Sequence, residues 1–224
     1  MSSPLAIFDL DGTLIDTAPD LIDSLNHAIA PHGLPPFGVD KVKLLVGRGV
    51  KVMIQRAFAF HDRTLDGEAF DACFARFTEH YRAGMPGKSR PYPGLLEALA
   101  RLKDAGYGLA VCTNKREELT MPLLEALDLA EWFGTITCGD TFEYRKPDPR
   151  HVSGTIERAG ATVAHAVMIG DSANDIDAAK GADVSTVAVT FGYTEKPAEE
   201  LGADKVISHF DRLTPALLDT LIGR

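Results

Sequence analysis

The sequence has few cysteines, fewer basic than acidic residues, and no repeat or low-complexity tract. Its cysteines, Cys73, Cys112 and Cys138, are odd in number and lack the spacing of a metal site. This argues against a disulfide framework or a zinc centre and favours reduced, mostly buried thiols. The apolar run from Leu5 stops at Asp9, too early for a signal peptide or a membrane span. We therefore expect a cytoplasmic protein without a membrane partner.

Positive charge is scarce, because 23 Lys and Arg residues stand against 32 Asp and Glu, for a formal net charge of −9. Such a chain repels nucleic acid backbones and anionic lipid, so we expect neither as a partner. A protein of this charge that handles an anionic substrate needs local cations, either basic side chains or a metal ion. A length of 224 residues suits one large domain or a core that carries a smaller insertion.

Short apolar runs alternate with helical patterns over most of the chain. The predicted strands cover residues 5–8, 109–113, 135–138, 167–170 and 186–189. Because strand and helix alternate, the pattern predicts an α/β fold with a doubly wound, Rossmann-like parallel sheet.

A long helical block separates the first predicted strand from the second. It begins with Thr17 as the predicted helix cap, keeps helical apolar periodicity to about Arg82, and ends in a segment rich in glycine and proline at 84–94. We therefore predict a catalytic core formed by 1–16 and 89–224, with an all-helical cap domain inserted at 17–88.

Polar side chains follow the predicted strands or strand-like segments where a parallel sheet presents its carboxyl ends to a ligand. They are Asp9 and Asp11, Thr113 and Asn114, Lys146 after segment 141–145, and Asp171 with Asp175. Each of these residues alone is typical of a turn, a helix cap or a solvated loop. Their joint placement indicates a functional site.

This set of residues suits phosphoryl transfer. An aspartate that attacks a phosphate ester needs a divalent cation, because nucleophile and substrate are both negative. Asp9 and Asp171 supply the hard oxygen ligands that Mg²⁺ prefers. Thr113, Asn114 and Lys146 are candidates for holding the phosphoryl oxygens.

In these motifs and in their order, the chain resembles haloacid dehalogenase superfamily phosphatases that carry a helical cap after the first strand. The resemblance implies that Asp9 is the nucleophile and that Asp11 protonates the leaving oxygen and then activates water. It also implies that Thr113 and Lys146 bind phosphate and that Mg²⁺ is the cofactor. The implied metal ligands are Asp9, Asp11 through its backbone carbonyl, Asp171 and, in a more indirect role, Asp175.

Within that superfamily, several runs resemble bacterial phosphoglycolate phosphatases: 16–20, 46–49, 113–115, 122–127, 145–147 and 190–193. Relatives that act on pyrophosphate or on phosphorylated muramic acid share such runs. Asp11 argues against dehalogenases and phosphonate-cleaving relatives, which lack an acid there, and Thr13 and Leu21 argue against phosphosugar mutases.

We expect hydrolysis of a small phosphorylated acid such as 2-phosphoglycolate, by a monomer or a homodimer. The alternatives are a phosphosugar mutase similar to β-phosphoglucomutase, a phosphatase for pyrophosphate or a sugar phosphate, and a phospho-ligand-binding protein without catalysis.

Substrate choice is expected to lie in the cap, because the phosphate site does not distinguish what the phosphate is attached to. Arg48, flanked by Gly47 and Gly49, is the candidate to pair with a substrate carboxylate. A solvated surface arginine is the alternative interpretation of Arg48. Lys43 and Lys51 are weaker candidates for the same role.

Overall fold

The computed structural model describes residues 3–194 and 196–224, and its central element is a six-stranded sheet. In chain order the strands are β1 Leu5–Phe8, β2 Ile15–Asp16, β3 Arg90–Pro91, β4 Gly108–Cys112, β5 Thr135–Thr137, β6 Ala166–Gly170, β7 Ser185–Val189 and β8 Lys205–Ile207. The helices are α1 Ala18–Ile29, α2 Val42–Leu45, α3 Val50–Ala59, α4 Gly67–Gly84, α5 Leu95–Asp104, α6 Glu117–Ala126, α7 Pro149–Arg158, α8 Ala173–Gly181 and α9 Pro215–Leu221.

The large sheet has the strand order β5-β4-β1-β6-β7-β8, and its paired strands are parallel. The chain builds outward from β1 first on one side and later on the other, so the order reverses next to β1. In open parallel sheets, ligands bind at the carboxyl ends of the strands beside such a reversal. The topology therefore places the functional site at the ends of β1, β4 and β6.

Both faces of the large sheet are buried, which explains why its strands are continuous apolar runs rather than alternating ones. Along β1, Ala6 and Phe8 belong to one hydrophobic cluster, while Leu5 and Ile7 belong to another on the opposite face. The second cluster includes Val152 of α7 and residues of α8. Helices on both faces confirm the predicted doubly wound α/β class.

Two features of the sheets were not predicted. Strand β8 has only three residues, and it begins with an exposed lysine, so it does not form an apolar run. Strands β2 and β3 pair antiparallel, with Ile15 opposite Pro91 and Asp16 opposite Arg90. This short ribbon lies where the chain leaves and re-enters the predicted core.

The helices of the insertion pack around their own hydrophobic cluster. It contains Leu25 of α1, Ile54 and Phe58 of α3, and Phe77 of α4, all of them fully buried. The cluster extends to Tyr193, which follows β7, so the insertion also packs against the core. The boundaries at 16/17 and 88/89 stay a prediction, and residues 1 and 2 of the predicted core lie outside the described part.

Thr17 directly precedes α1, as predicted, but the prediction that its side chain caps the helix is wrong. The helix begins at Ala18, but the Thr17 side chain makes no capping bond. Its hydroxyl instead donates to Asp11 Oδ1 at 2.8 Å. The Tyr193 hydroxyl oxygen accepts the backbone N–H groups of Thr17 and Ala18, at 2.6 and 2.8 Å, so a distant side chain satisfies the helix start.

Across the described residues, no helix combines the length and apolarity that a bilayer crossing requires.

Buried His151 on α7 makes the fold sensitive to acid. Among the described residues neither of its ring nitrogens has a hydrogen-bond partner. Burial, reinforced by the Lys146 ammonium, lowers the pKa of His151 to about 3. Because the unfolded chain takes up this proton near the ordinary pKa of about 6.5, the neutral ring contributes stability above that pH and loses it as pH falls toward 3.

Between about pH 7 and about pH 5, we expect the wild type to lose more free energy of unfolding than His151→Leu does. The expected difference between the two losses is about 2 kcal/mol. Urea unfolding at both pH values measures this difference. Equal losses in the two proteins would contradict the account. Comparing variant with wild type removes the contributions of other titrating groups, which both proteins share.

Candidate active site

The turn after β1 positions two carboxylates. Asp9 directly follows the strand, and its N–H donates to Ile169 O of β6 at 3.0 Å. Gly12 has a φ of +89°, and a Cβ there would collide with the Asp171 carboxylate. A glycine is therefore required for the turn and for the close approach of Asp171.

Lys146 lies at the centre of the buried charges. Its Nζ donates to Asp9 Oδ1 at 2.8 Å, to Asp175 Oδ1 at 2.6 Å and to Cys112 O at 2.5 Å. These three bonds use the three ammonium protons. Although burial by itself would lower it, the carboxylates of Asp175 and Asp9 raise the pKa of Lys146, which keeps it charged.

The expectation that Lys146 directly follows a strand is wrong. Strand β5 ends at Thr137, and the chain then runs through an irregular loop to α7. The loop is fixed by the Gly139 N–H donating to Lys115 O at 2.8 Å and by the Thr141 hydroxyl accepting the Cys138 N–H at 2.7 Å. The loop still brings Lys146 to Asp9, as the chemistry of the predicted site requires.

Asp171 and Asp175 follow β6, at the start of α8. Asp171 Oδ2 accepts the Tyr193 N–H at 2.6 Å. Asp175 Oδ2 accepts both the N–H and the hydroxyl of Ser172, at 3.0 and 2.7 Å, and the Ser172 hydroxyl oxygen faces the Asp175 N–H, so the two residues form a capping box. Since Lys146 occupies the other oxygen of Asp175, this carboxylate is engaged on both sides by protein donors. Its geometry suits positioning better than direct ligation.

The three carboxylates suit a divalent cation. One oxygen from each of Asp9, Asp171 and Asp175 lies within 4.8 Å of the others. Burial raises the pKa of Asp9 to about 7, although Lys146 lowers it, and Asp175 raises it further. Burial and the carboxylates of Asp175 and Asp9 also raise the pKa of Asp171 well above its usual range. A bound cation relieves this repulsion, and an all-oxygen donor set fits a hard cation such as Mg²⁺.

Asp11 is held by a buried lysine that was not predicted as a site residue. Lys115 Nζ lies 3.0 and 3.3 Å from the two carboxylate oxygens of Asp11 and donates to the Tyr81 hydroxyl at 3.0 Å. Burial alone would lower the pKa of Lys115, but Asp11 and Tyr81 raise it. Since Tyr81 belongs to α4, this lysine connects the insertion with Asp11. Lys115 belongs to the run 113–115 noted in the sequence, but nothing in the sequence indicates that it pairs with Asp11.

A cavity of about 380 Å³ opens above these groups, between the core and the insertion. Asp9, Asp11, Thr113 and Asn114 line it, as the sequence predicts for groups that share a site. Its other lining residues are Leu21, Val46, Gly47, Gly49, Val50, Lys51, Met53, Phe74, Lys115, Arg116, Gly139, Asp140 and Arg145. The volume suits a small metabolite rather than a polymer.

Asn114 and Asn174 connect the core to the insertion. The Nδ2 groups of both side chains donate to Gly47 O, each at 3.2 Å. Asn114 Nδ2 also donates to Lys146 O at 2.9 Å. The loop at 46–49 is therefore tied to the same core segment that carries Lys146.

Arg48 does not line the cavity above Asp9, although Gly47 and Gly49 on either side of it do. It lines a second cavity, of about 100 Å³, together with Lys43, Asn174 and Lys196. Its role as the partner of a substrate carboxylate stays a prediction. Of the two weaker candidates, Lys51 lines the first cavity and Lys43 the second.

Known proteins resemble the whole chain. A family model described as haloacid dehalogenase-like hydrolase matches residues 6–189. A phosphoglycolate phosphatase from Agrobacterium fabrum is 57% identical over 222 residues, which are 99% of this chain and 95% of that protein. A phosphoglycolate phosphatase from Mesorhizobium japonicum is 51% identical over 222 residues, 99% of this chain and 98% of that protein.

A solved structure agrees with these similarities. The crystal structure of a predicted phosphoglycolate phosphatase from Haemophilus somnus superposes with a TM-score of 0.88 at 32% identity. The match covers 94% of this chain and 96% of that chain. The similarity therefore includes both the sheet and the inserted helices.

Proposed function

The chain belongs to the haloacid dehalogenase-like hydrolases, and from that premise we propose a Mg²⁺-dependent phosphatase for a small phosphorylated acid, with 2-phosphoglycolate as its first candidate substrate. The observation that carries the proposal is the contact between Asp9 and Lys146 beneath a small cavity that Asp9 and Asp11 line. The cytoplasmic location expected from the sequence is part of the same proposal.

Asp9 is the proposed nucleophile. Lys146 occupies Oδ1, while Oδ2 has no protein hydrogen bond among the described residues, so Oδ2 is the oxygen available for attack. Oδ2 forms a bond to phosphorus, and the bond from phosphorus to the leaving oxygen breaks. The product of this step is a phosphorylated Asp9 and an alcohol.

Asp11 is the proposed acid and base. It delivers a proton to the leaving oxygen, then takes one from a water molecule that attacks phosphorus and releases Asp9. Thr17 and Lys115 orient its carboxylate in this structure, at 2.8 and 3.0 Å. Thr113, Asn114 and Lys146 are the proposed groups around the phosphoryl oxygens.

Asp9, Asp171 and the backbone carbonyl of Asp11 are the proposed metal ligands, with Asp175 as their supporting carboxylate. With a divalent cation bound, these groups would hold positive charge against both the nucleophile and the phosphate. We propose that the insertion, residues 17–88, acts as a cap over the site. Its ties from Gly47 to Asn114 and Asn174 support a cap that excludes water from the cavity.

The proposal predicts metal-dependent phosphate release. We expect kcat/KM for 2-phosphoglycolate to exceed that for pyrophosphate and for hexose phosphates by about tenfold or more. A chelator is expected to lower the activity by about 100-fold, and added Mg²⁺ to restore it. Activity that survives chelation would contradict the metal site.

The same assay separates the alternatives. Preference for pyrophosphate or a hexose phosphate would overturn the substrate but keep the reaction. Transfer of phosphate to a second hydroxyl faster than its release to water would identify a mutase. Tight phosphate binding without turnover would identify a binding protein.

A further inference from the structure

The cavity above Asp9 is lined by four basic side chains and three acidic ones, Asp9, Asp11 and Asp140. Besides Lys115, which is bound to Asp11, its lining includes Lys51, Arg116 and Arg145. None of these cations belongs to the proposed phosphate-binding groups, so a cation without a carboxylate partner in the described part of the chain is available for a second anionic group on the ligand.

One of these three cations is paired with carboxylates, and another lies over an aromatic ring. The Nε of Arg116 lies 3.1 Å from Glu118 Oε1 and 3.3 Å from Asp140 Oδ2. Lys51 on α3 lies over the Phe74 ring, 5.5 Å from its centroid. Arg116 is therefore neutralised by two carboxylates, and Lys51 is held against an aromatic face.

Arg145 differs from Arg116 in having no carboxylate partner among the described residues, and from Lys51 in carrying a planar guanidinium. Within 3–194 and 196–224, its guanidinium has no hydrogen bond and no ion pair, although it lines the cavity. It directly precedes Lys146, whose carbonyl accepts from Asn114 Nδ2 at 2.9 Å, so the loop that carries it is anchored at the proposed phosphate site. A planar guanidinium can bind a carboxylate through two parallel hydrogen bonds.

The loop at 46–49 comes close to the Arg145 guanidinium without covering it. Gly49 has a φ of +81°, and a Cβ built there would lie 3.8 Å from Arg145 Nη1 and 3.3 Å from Asn114 O. Any larger side chain at this position would approach the guanidinium. Because residue 49 is a glycine, no side chain from this position covers the guanidinium.

We propose that Arg145 is the specificity-determining residue that binds the substrate carboxylate, in a subsite between the Lys146 loop and the Gly49 backbone. The inference rests on the proposed function and names the ligand class as a phosphomonoester with a carboxylate close to the phosphate. The carboxyl carbon of such a molecule is two bonds from the ester oxygen, which is compatible with adjacent residues serving its two ends. Arg48, in the second cavity, is the competing candidate.

The test compares 2-phosphoglycolate with its carboxamide analogue, which has nearly the same size but no carboxylate. We expect the wild-type enzyme to favour the carboxylate, and Arg145→Ala to lose about 30-fold in kcat/KM on it, mainly through KM. The same variant should lose less than about threefold on the carboxamide. Arg145→Lys should recover part of the loss, because it keeps the charge but not the planar fork.

Arg150→Ala is the matched control, because Arg150 is exposed, pairs with Asp148 at 2.6 Å and lies outside the cavity. Its kinetics on both substrates should match the wild type. Arg48→Ala should likewise show no loss that is selective for the carboxylate. Selective loss in Arg48→Ala with none in Arg145→Ala would overturn the proposal.

Three further outcomes would also overturn it. Equal losses of Arg145→Ala on both substrates would place Arg145 in the reaction machinery instead. A wild-type enzyme that hydrolyses both substrates equally well has no carboxylate subsite, although the phosphatase reaction would stand. Phosphate release from neither substrate would refute the proposed function itself, and the subsite with it.

Discussion

Asp9→Asn is expected to lower kcat/KM on 2-phosphoglycolate by about 10⁴-fold or more. The amide is a poor nucleophile, and the phosphorylated intermediate cannot form on it. The substitution removes an ion pair with Lys146, but burial and the Asp175 carboxylate outweigh that attraction and raise the pKa of Asp9 to about 7, so losing the charge has no net cost. We therefore expect the variant to unfold at no lower temperature than the wild type in the presence of chelator.

Asp177→Asn is the control for this substitution. Asp177 lies two residues beyond Asp175 on α8, but its side chain is exposed. The control should keep wild-type kinetics. Turnover by Asp9→Asn at more than a tenth of the wild-type rate would show that another group attacks phosphorus. A tenfold loss in rate corresponds to about 1.4 kcal/mol of lost transition-state stabilisation.

Lys146→Met is expected to damage both stability and catalysis. The Lys146 side chain is only 1% exposed, and it pairs with Asp9 and with the equally buried Asp175. Removing one partner from a buried ion pair costs about 3–5 kcal/mol, because the remaining charges lose their compensation. We expect urea unfolding of the metal-free variant to show a loss in this range.

The catalytic effect of Lys146→Met should be a loss of about 10³-fold in kcat, because the variant lacks the ammonium that compensates developing negative charge. Lys180→Met is the control, since Lys180 is exposed on α8. It should change neither property. A stable Lys146→Met variant with high activity would mean that Lys146 is not part of the site.

The sequence predicted the parts of the site that depend on local order. Asp9 and Asp11 had to follow a buried strand, and a parallel sheet brings its strand ends together, so their proximity to Thr113 and Asp171 could be inferred. The fold class followed from the alternation of strands and helices. These inferences need only periodicity and chain order.

Contacts between the core and the insertion could not be inferred in this way. Tyr81 reaches Lys115 because α4 packs over the core, and Tyr193 reaches Thr17 across 176 positions of the chain. Arg48 and Arg145 look alike in sequence, since each lies in a loop next to a predicted motif. The structure separates them: Arg145 lines the cavity above Asp9, whereas Arg48, between Gly47 and Gly49, lines the second cavity.

The most direct test of the central claim is to find the phosphorylated residue. Wild-type protein is mixed with 2-phosphoglycolate radiolabelled in its phosphate, quenched in acid during turnover and digested, and the labelled peptide is identified. The account predicts a hydroxylamine-sensitive label on Asp9 that is missing in Asp9→Asn. A label on another residue, or active turnover with no labelled protein at any quench time, would contradict it.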